Sequence, residues 1–278
     1  MTQQPPARVL LDCDPGIDDA LAIVFACGHP GLDLTGVTTV SGNVDLGKVT
    51  ANALSVLELA GRPEVPVVAG SARPLLRPIA DARDVHGESG LGAATLPPAR
   101  AEAIPGHAVD FLIEQIGAAP GEITLVATGP LTNIALAVRR EPRLTGWVHD
   151  FVIMGGSTAR GNTTPAAEFN IWADPEAAAI VFGAGWQVTM VGLDVTLQAR
   201  ATPAVQDRMR LLGRLDHPNV VRAFDADQFG PPRGEQSVHI HDRLREVEPR
   251  QCRRVAQMES AETIGLRSEE HTSELQSP

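Results

Sequence analysis

The stretch Leu10–Ala26, LLDCDPGIDDALAIVFA, places four aspartates, Asp12, Asp14, Asp18 and Asp19, within eight residues. Pro15 and Gly16 separate the two pairs. Proline fixes φ and glycine admits left-handed geometry, so the DPG segment forces a tight turn that folds the pairs toward each other. Carboxylates crowded in this way repel, and a hard divalent cation would explain the crowding: calcium takes roughly six to eight oxygen ligands, magnesium about six in stricter geometry. A bound cation also favours ionised carboxylates and acidifies the water beside it. The plainer reading is an acidic turn in which Asp18, or the residue before it, caps the following helix while the other carboxylates are solvated. Aspartate at a helix N-terminus is stabilised by the helix dipole. The spacing is not that of an EF-hand loop.

The elements that must hold these residues follow from apolar patterning. Arg8–Cys13 is a short apolar run that reads as a buried strand. Ala20, Leu21, Ile23, Val24 and Cys27 give the next segment a helical stripe that Gly28 can end. Further strands are expected at Leu32–Val40, in VPVVAG, at Glu122–Gly129, at Trp147–Gly156 and in QVTMVGLD. Helices are expected at Leu46–Gly61, at Ala103–Gly117, in PLTNIALAVRR and in DPEAAAIVFGAG, the last with Asp174 as N-cap and Pro175 at its first position. Strands alternating with helices predict an α/β fold with a mostly parallel, doubly wound open sheet and helices on both faces. In such sheets ligands bind beyond the carboxyl ends of the strands. The polar clusters DCDPGIDD, SGN (Ser41–Asn43), TGPLTN (Thr128–Asn133) and GGSTARGNTTPAAEFN (Gly155–Asn170) all follow strands directly, so they would open onto one rim.

Bulk composition narrows the partners. The formal charge is −11, which argues against a nucleic-acid polymer or an anionic membrane, both of which demand excess cationic charge. No apolar run approaches about 18 residues, and MTQQPPARV lacks the basic and apolar regions of a signal peptide. Three cysteines, Cys13, Cys27 and Cys252, without metal-binding spacing, read as reduced thiols in a cytoplasmic protein.

Taken in order, DCDPGIDDALAI, TTVSGN, VHGESG, LVATGPLTNIALA, VIMGG, AEFNIWADPEAA and QVTMVGLDVT resemble the motifs of the inosine–uridine-preferring nucleoside hydrolase family over about residues 8–242. The resemblance implies hydrolysis of the N-glycosidic bond of ribonucleosides to ribose and free base, with one calcium ion, and a dimeric or tetrameric homo-oligomer for the full-length protein. Carried over by motif, Asp14 is the general base and a calcium ligand, Asp19 a bidentate calcium ligand, and Thr128 a ligand through its backbone carbonyl. Asp242 closes the metal shell, and His241 beside it stands where some members place the leaving-group acid. Asp18 lies near the ribose. Asn43, Asn162, Glu168 and Asn170 match positions that hold the ribose hydroxyls and hydroxymethyl group, and His86 matches a histidine near the base. These roles suit the chemistry. Glycosyl transfer passes through an oxocarbenium-like state that ionised carboxylates stabilise, and amides offer a diol both donor and acceptor.

Several of these residues also have bland readings. Asn133 is expected to cap a helix, Asn170 alone reads as a turn residue, the His239/His241 pair as structural, and Cys13 as core. Two departures from the family pattern stand out. After Asp242 the chain reads RLREVEPRQCRRVAQ in place of the family's closing elements, and no tyrosine is available where Phe224 and Phe229 stand, which leaves nucleobase preference open. The expected organisation is a C-terminally incomplete hydrolase domain over 1–242, a segment of uncertain origin over 243–266 for which a frameshift is one reading, and a disordered tail over 267–278 that resembles a translated sequencing adapter. Two rival functions remain: a HAD-like, Mg2+-dependent phosphatase built on the DxD after the first strand, and a ribose- or calcium-binding remnant without turnover.

Overall fold

The structure, a computed structural model, describes residues 5–199. Its core is a six-stranded sheet in the order β3-β2-β1-β4-β5-β6. The strands are β1 (Ala7–Cys13), β2 (Leu32–Thr39), β3 (Val67–Ala69), β4 (Ile123–Ala127), β5 (Asp150–Met154) and β6 (Thr189–Val191). Every neighbouring pair is parallel. The helices between them are α1 (Ile17–Gly28), α2 (Leu46–Leu59), α3 (Arg83–His86), α4 (Ala108–Ala118), α5 (Thr132–Arg140), α6 (Leu144–Trp147), α7 (Phe169–Ala173), α8 (Pro175–Phe182) and α9 (Leu193–Thr196). The expected doubly wound α/β sheet is the fold observed.

Strand alternation sorts the side chains into two apolar layers. Val9, Leu11 and Cys13 of β1 pack with Ile23 and Val24 of α1 and Ala53, Val56 and Leu57 of α2. Leu10 of β1 points the other way, into a layer with Leu112 and Ile116 of α4, Ile134 and Ala137 of α5, and Ala177 and Val181 of α8. Each fully buried leucine or isoleucine in these layers contributes on the order of 1.5–3 kcal/mol of transfer free energy. Residues two apart on a strand share a face, so Asp12 follows Leu10 toward the α5 side.

The order of the sheet reverses between β1 and β4. From β1 the chain winds outward through β2 and β3, and from β4 outward through β5 and β6. The loops leaving these two central strands therefore diverge and open a crevice between them, the usual ligand position in open α/β sheets.

Three local expectations, and the bland alternative for Asn170, need correction. The helix expected from Ala103 begins only at Ala108. Pro105 disfavours helical geometry at Ile104, and Gly106 has φ +132°, so the chain stays irregular until His107 caps α4 by accepting the Val109 N–H at 3.2 Å. Asp18 does not cap α1: the N-cap is Gly16, whose N–H donates to Asp19 Oδ2 at 3.2 Å. Asn170 is not in a turn but in α7, which Glu168 caps. Asn133 is not a cap either, lying inside α5 with its side chain fully buried. By contrast Asp174 caps α8 as read, accepting the Ala177 N–H at 3.0 Å with Pro175 at the first position.

Candidate active site

The site grows from the carboxyl ends of β1 and β4. Asp14 leaves β1 one residue past its end, and Asp19 faces it from the first turn of α1. Both are buried, as is Asp12, while Asp18 is exposed. The solvated acidic turn is thereby excluded for three of the four aspartates. Asp14 Oδ2 accepts the Asn43 N–H at 2.7 Å, and Asn43 Nδ2 donates to both the Asp14 carbonyl (3.0 Å) and Asp19 Oδ2 (3.2 Å). Thr128, one residue past β4, donates its hydroxyl to Asp19 Oδ1 at 2.6 Å, and its N–H donates to the Asp12 carbonyl at 2.8 Å. Two loops approach Asp14 only because they carry glycine. A Cβ on Gly42 would lie 2.1 Å from Asp14 Oδ2, and one on Gly129 would lie 2.7 Å from Oδ1.

Burial dominates the electrostatics. It raises the Asp14 carboxyl well above the usual range, with the Asp19 charge adding to the rise and the Asn43 N–H opposing it. Burial and then the Asp18 charge push Asp19 up to about 7 against the Thr128 hydroxyl, and burial pushes Asp12 up to about 7 against its bonds from Thr38 and Asn133. Among the described residues no lysine or arginine contributes to any of these shifts. Asp14 Oδ1 is buried without a hydrogen-bond partner. A buried, unpartnered carboxylate oxygen is costly unless a positive charge or a donor meets it.

That orphan oxygen provides the test for a cation. Asp14, Asp19 and the Thr128 carbonyl offer only oxygen donors, the set preferred by hard divalent ions, so the residues fit calcium in donor chemistry. Among the described residues no cluster of three or more His, Cys, Asp or Glu side chains is arranged to hold a metal. Asp242, the third carboxylate expected in the shell, lies outside the described residues, as do His241, His239, Phe224 and Phe229.

The remaining expected residues gather around this centre with one exception. Asn170 donates Nδ2 to the Thr128 carbonyl at 2.8 Å and to the Met154 carbonyl at 3.1 Å. Glu168 holds the start of α7, its carboxylate accepting the N–H groups of Asn170 (2.9 Å), Ile171 (3.1 Å) and Gly156 (2.9 Å). Burial raises the Glu168 carboxyl, and these three N–H groups oppose the rise. His86, on α3, accepts the Ile17 N–H at Nδ1 (3.2 Å), a bond that requires Nδ1 unprotonated; burial lowers its pKa in the same sense. The exposed Asp18 acts electrostatically on Asp14, Asp19, His86 and Glu168, as a charge on the open side of the cluster would. Asn162 is the exception. It is exposed, its Oδ1 accepts the Phe169 N–H at 2.9 Å, and none of its hydrogen bonds reaches the carboxylates.

Three participants escaped the sequence reading. Gly42 and Gly129 are needed for close approach, and Asn133 is bonded to Asp12 from below at 2.8 Å. The signal for Asn133 was its place in TGPLTN, a polar run directly after a strand.

Residues 9–249 match the family model described as inosine-uridine preferring nucleoside hydrolase. The chain belongs to this family. It is 53% identical over 210 residues to the inosine-uridine preferring nucleoside hydrolase of Leishmania major, covering 75% of this chain and 67% of that one. It is 46% identical over 209 residues to the pyrimidine-specific ribonucleoside hydrolase RihB of Escherichia coli K12, covering 74% and 66%. The chain thus spans about two thirds of the length of these relatives. Among solved structures, the plant nucleoside hydrolase PpNRh1 superposes with a TM-score of 0.70 at 39% identity, covering 80% of this chain and 73% of that one. The purine-preferring ribonucleoside hydrolase of Gardnerella vaginalis superposes with a TM-score of 0.71 at 34% identity, covering 79% and 73%. Membership of the family sets aside the phosphatase alternative. The geometry agrees, since Asp12, the first aspartate of the DxD, is buried with one oxygen bound by Thr38 and Asn133. Among the described residues no helix is long and apolar enough to cross a membrane.

Proposed function

We propose that this protein hydrolyses the N-glycosidic bond of ribonucleosides, releasing ribose and a free nucleobase for salvage, with calcium held by Asp14, Asp19, the Thr128 carbonyl and Asp242. The observation that carries the reading is the buried, unpartnered Asp14 Oδ1 at the end of β1, beside Asp19 and with no cationic side chain among the described residues to offset it. When bound, calcium supplies the positive charge that keeps the carboxylate pair ionised and lowers the pKa of nearby water. Asp14 takes the proton of the attacking water at Oδ1, the oxygen left free while Oδ2 is fixed by the Asn43 N–H. With Oδ2 held, the base does not have to reorient during the reaction. The ionised carboxylates oppose the positive charge that develops on the ribose ring as the glycosidic bond breaks.

Asn43, Glu168 and Asn170 line the ribose side. Each keeps at least one oxygen lone pair beyond the backbone contacts it makes, and Asn162 keeps its NH2 group. His86 stands near the base with Nδ1 occupied, so Nε2–H is a donor. His241 is the leaving-group acid. The relatives named above differ in the base they prefer, and the proposal is confined to the ribonucleoside class. Free thiols at Cys13 and Cys27 support a cytoplasmic location, and the family resemblance supports a homo-oligomer.

The test is release of free base from inosine, uridine and cytidine by the purified chain, alone, with a calcium chelator, and with calcium restored. Release that is lost on chelation and regained on restoration is the expected result. Calcium binding without release of any base would favour the non-catalytic remnant, and release indifferent to chelation would remove the metal from the reaction.

A further inference from the structure

Asn133 is a polar residue where the fold calls for an apolar one. It lies inside α5 among Ile134, Ala135, Ala137 and Val138, all in the apolar layer, and its side chain is fully buried. Its carboxamide is well satisfied. Nδ2 donates to Asp12 Oδ1 at 2.8 Å and to the Thr39 carbonyl at 3.0 Å, and Oδ1 accepts the Ser71 N–H at 2.8 Å. One side chain thus ties α5 to the ends of β1 and β2 and to the segment after β3. The third segment can come this close because residue 70 is glycine: a Cβ there would lie 2.3 Å from Asn133 Oδ1 and 2.5 Å from Nδ2.

From this amide two chains of hydrogen bonds run upward to the two carboxylates of the site. Through Asp12, the first continues by the Thr128 N–H to the Asp12 carbonyl (2.8 Å) and ends with the Thr128 hydroxyl on Asp19 Oδ1 (2.6 Å). Through Ser71, the second continues by the Ser41 N–H to the Ser71 carbonyl (2.9 Å). Two residues further along the same loop, the Asn43 N–H holds Asp14 Oδ2 at 2.7 Å. Asp12 Oδ2 and Ser71 Oγ, on the two chains, are buried without a partner, so it is the bonds named, and not full satisfaction of the network, that fix the geometry here. We propose that Asn133 is a positioning residue of the reaction: its carboxamide, one layer beneath the site, sets the separation and orientation of Asp14 and Asp19. The assignment rests on the cation-assisted reading above and adds to it a residue that touches neither substrate nor cation.

The experiment is calcium titration calorimetry on the chelator-treated full chain, with thermal unfolding and steady-state kinetics alongside, for the unsubstituted protein, Asn133→Ala, and the exchange Asp12→Asn with Asn133→Asp. The exchange keeps the net charge and can rebuild the bond between positions 12 and 133 with donor and acceptor reversed; the Thr39 carbonyl keeps a donor when the carboxyl introduced at 133 is protonated. For Asn133→Ala, calcium affinity per folded molecule should fall at least tenfold. kcat/KM should fall with it at limiting calcium and recover in part when calcium is in excess. The exchange should regain most of the lost affinity. A purely structural role would lower the unfolding temperature and leave the affinity of the folded protein within twofold, and that result overturns the proposal. If Asn133→Ala does not fold, the exchange decides: affinity near that of the unsubstituted chain supports the proposal, and failure to fold or a tenfold weaker affinity overturns it. Absence of calcium binding by the unsubstituted chain is a separate outcome, which overturns the cation reading and this assignment together.

Discussion

Gly42→Ala tests the site without removing any functional group. Gly42 does not occupy the left-handed region, so alanine is compatible with its backbone. The added methyl would lie 2.1 Å from Asp14 Oδ2, 2.9 Å from Asp14 Cγ and 2.8 Å from Pro130 Cδ. Ordinary contact begins near 3.4 Å, so the carboxylate has to withdraw by about 1 Å, the scale at which misplacement of a reacting group costs on the order of 100-fold. Withdrawal also strains the 2.7 Å bond from the Asn43 N–H, a charge-assisted contact worth about 1.5–3 kcal/mol. The expectation is a fall in kcat/KM of about 100-fold, roughly 2.7 kcal/mol of transition-state stabilisation, with a stability loss of about 1–3 kcal/mol from overpacking. Free-base release and urea denaturation measure the two quantities. Gly146→Ala is the control. Apart from its chain neighbours and its own helix backbone, nothing lies within 4 Å of the position its Cβ would take, and the residue is in the short helix α6, so activity should hold and stability should rise by up to about 1 kcal/mol. A folded Gly42→Ala protein with activity within twofold of the parent would refute the claim that the placement of Asp14 limits the reaction.

Asp14→Asn keeps the shape of the side chain and abolishes its basicity; base release should drop by about 10²–10⁴-fold with substrate binding, read by ribose competition, largely retained. Because the proposed ribose contacts leave polar groups unpaired when a hydroxyl is missing, 2′-deoxyinosine should be turned over less efficiently than inosine by on the order of 10⁴-fold; equal kcat/KM values would remove the amides from diol recognition. Asp174→Ala tests the scaffold. Fully buried, Asp174 caps α8 and accepts the Leu75 N–H (2.9 Å) and the Thr132 hydroxyl (2.6 Å), so its loss should destabilise the fold by about 3 kcal/mol, read as a lower urea midpoint at constant slope.

The parts of the fold that the sequence made legible are those governed by short-range periodicity. The strand runs at β1, β2 and β4 and the stripe of α1 were readable because burial on one or both faces dictates side-chain type residue by residue. The start of α4 was misread because its apolar neighbours extend the pattern past Pro105 and Gly106, where backbone geometry overrides it. The carboxylate cluster was legible as a cluster, since crowding of like charge requires a cause. The function of Asn133 was not. An asparagine three residues after a proline and just before an apolar run looks like a cap, and only the meeting of three strand ends reveals what its amide binds. Gly42 and Gly129 were equally opaque, because close approach to a carboxylate far along the chain leaves no mark on local spacing.

The topology explains why the aspartates stand where they do. At the reversal between β1 and β4, the loops leaving the two strands turn to opposite sides and leave an open crevice. Asp14 enters it from β1, the Thr128 carbonyl from β4, and Asp19 from the first turn of α1. The crevice is flanked by packed layers, so the carboxylates lose water, and burial is the leading cause of every upward shift among Asp12, Asp14 and Asp19. Folding such a group without a countercharge or donors costs several kcal/mol per ion. Hydrogen bonds meet part of that cost for Asp19, through Thr128, Asn43 and the Gly16 N–H, and for one oxygen of Asp12. They leave Asp12 Oδ2 and Asp14 Oδ1 unmet. Of these two bare oxygens, Asp14 Oδ1 belongs to the carboxylate at the carboxyl end of β1 beside Asp19; leaving it bare is a poor choice for stability alone and a good one for a base that must receive a proton.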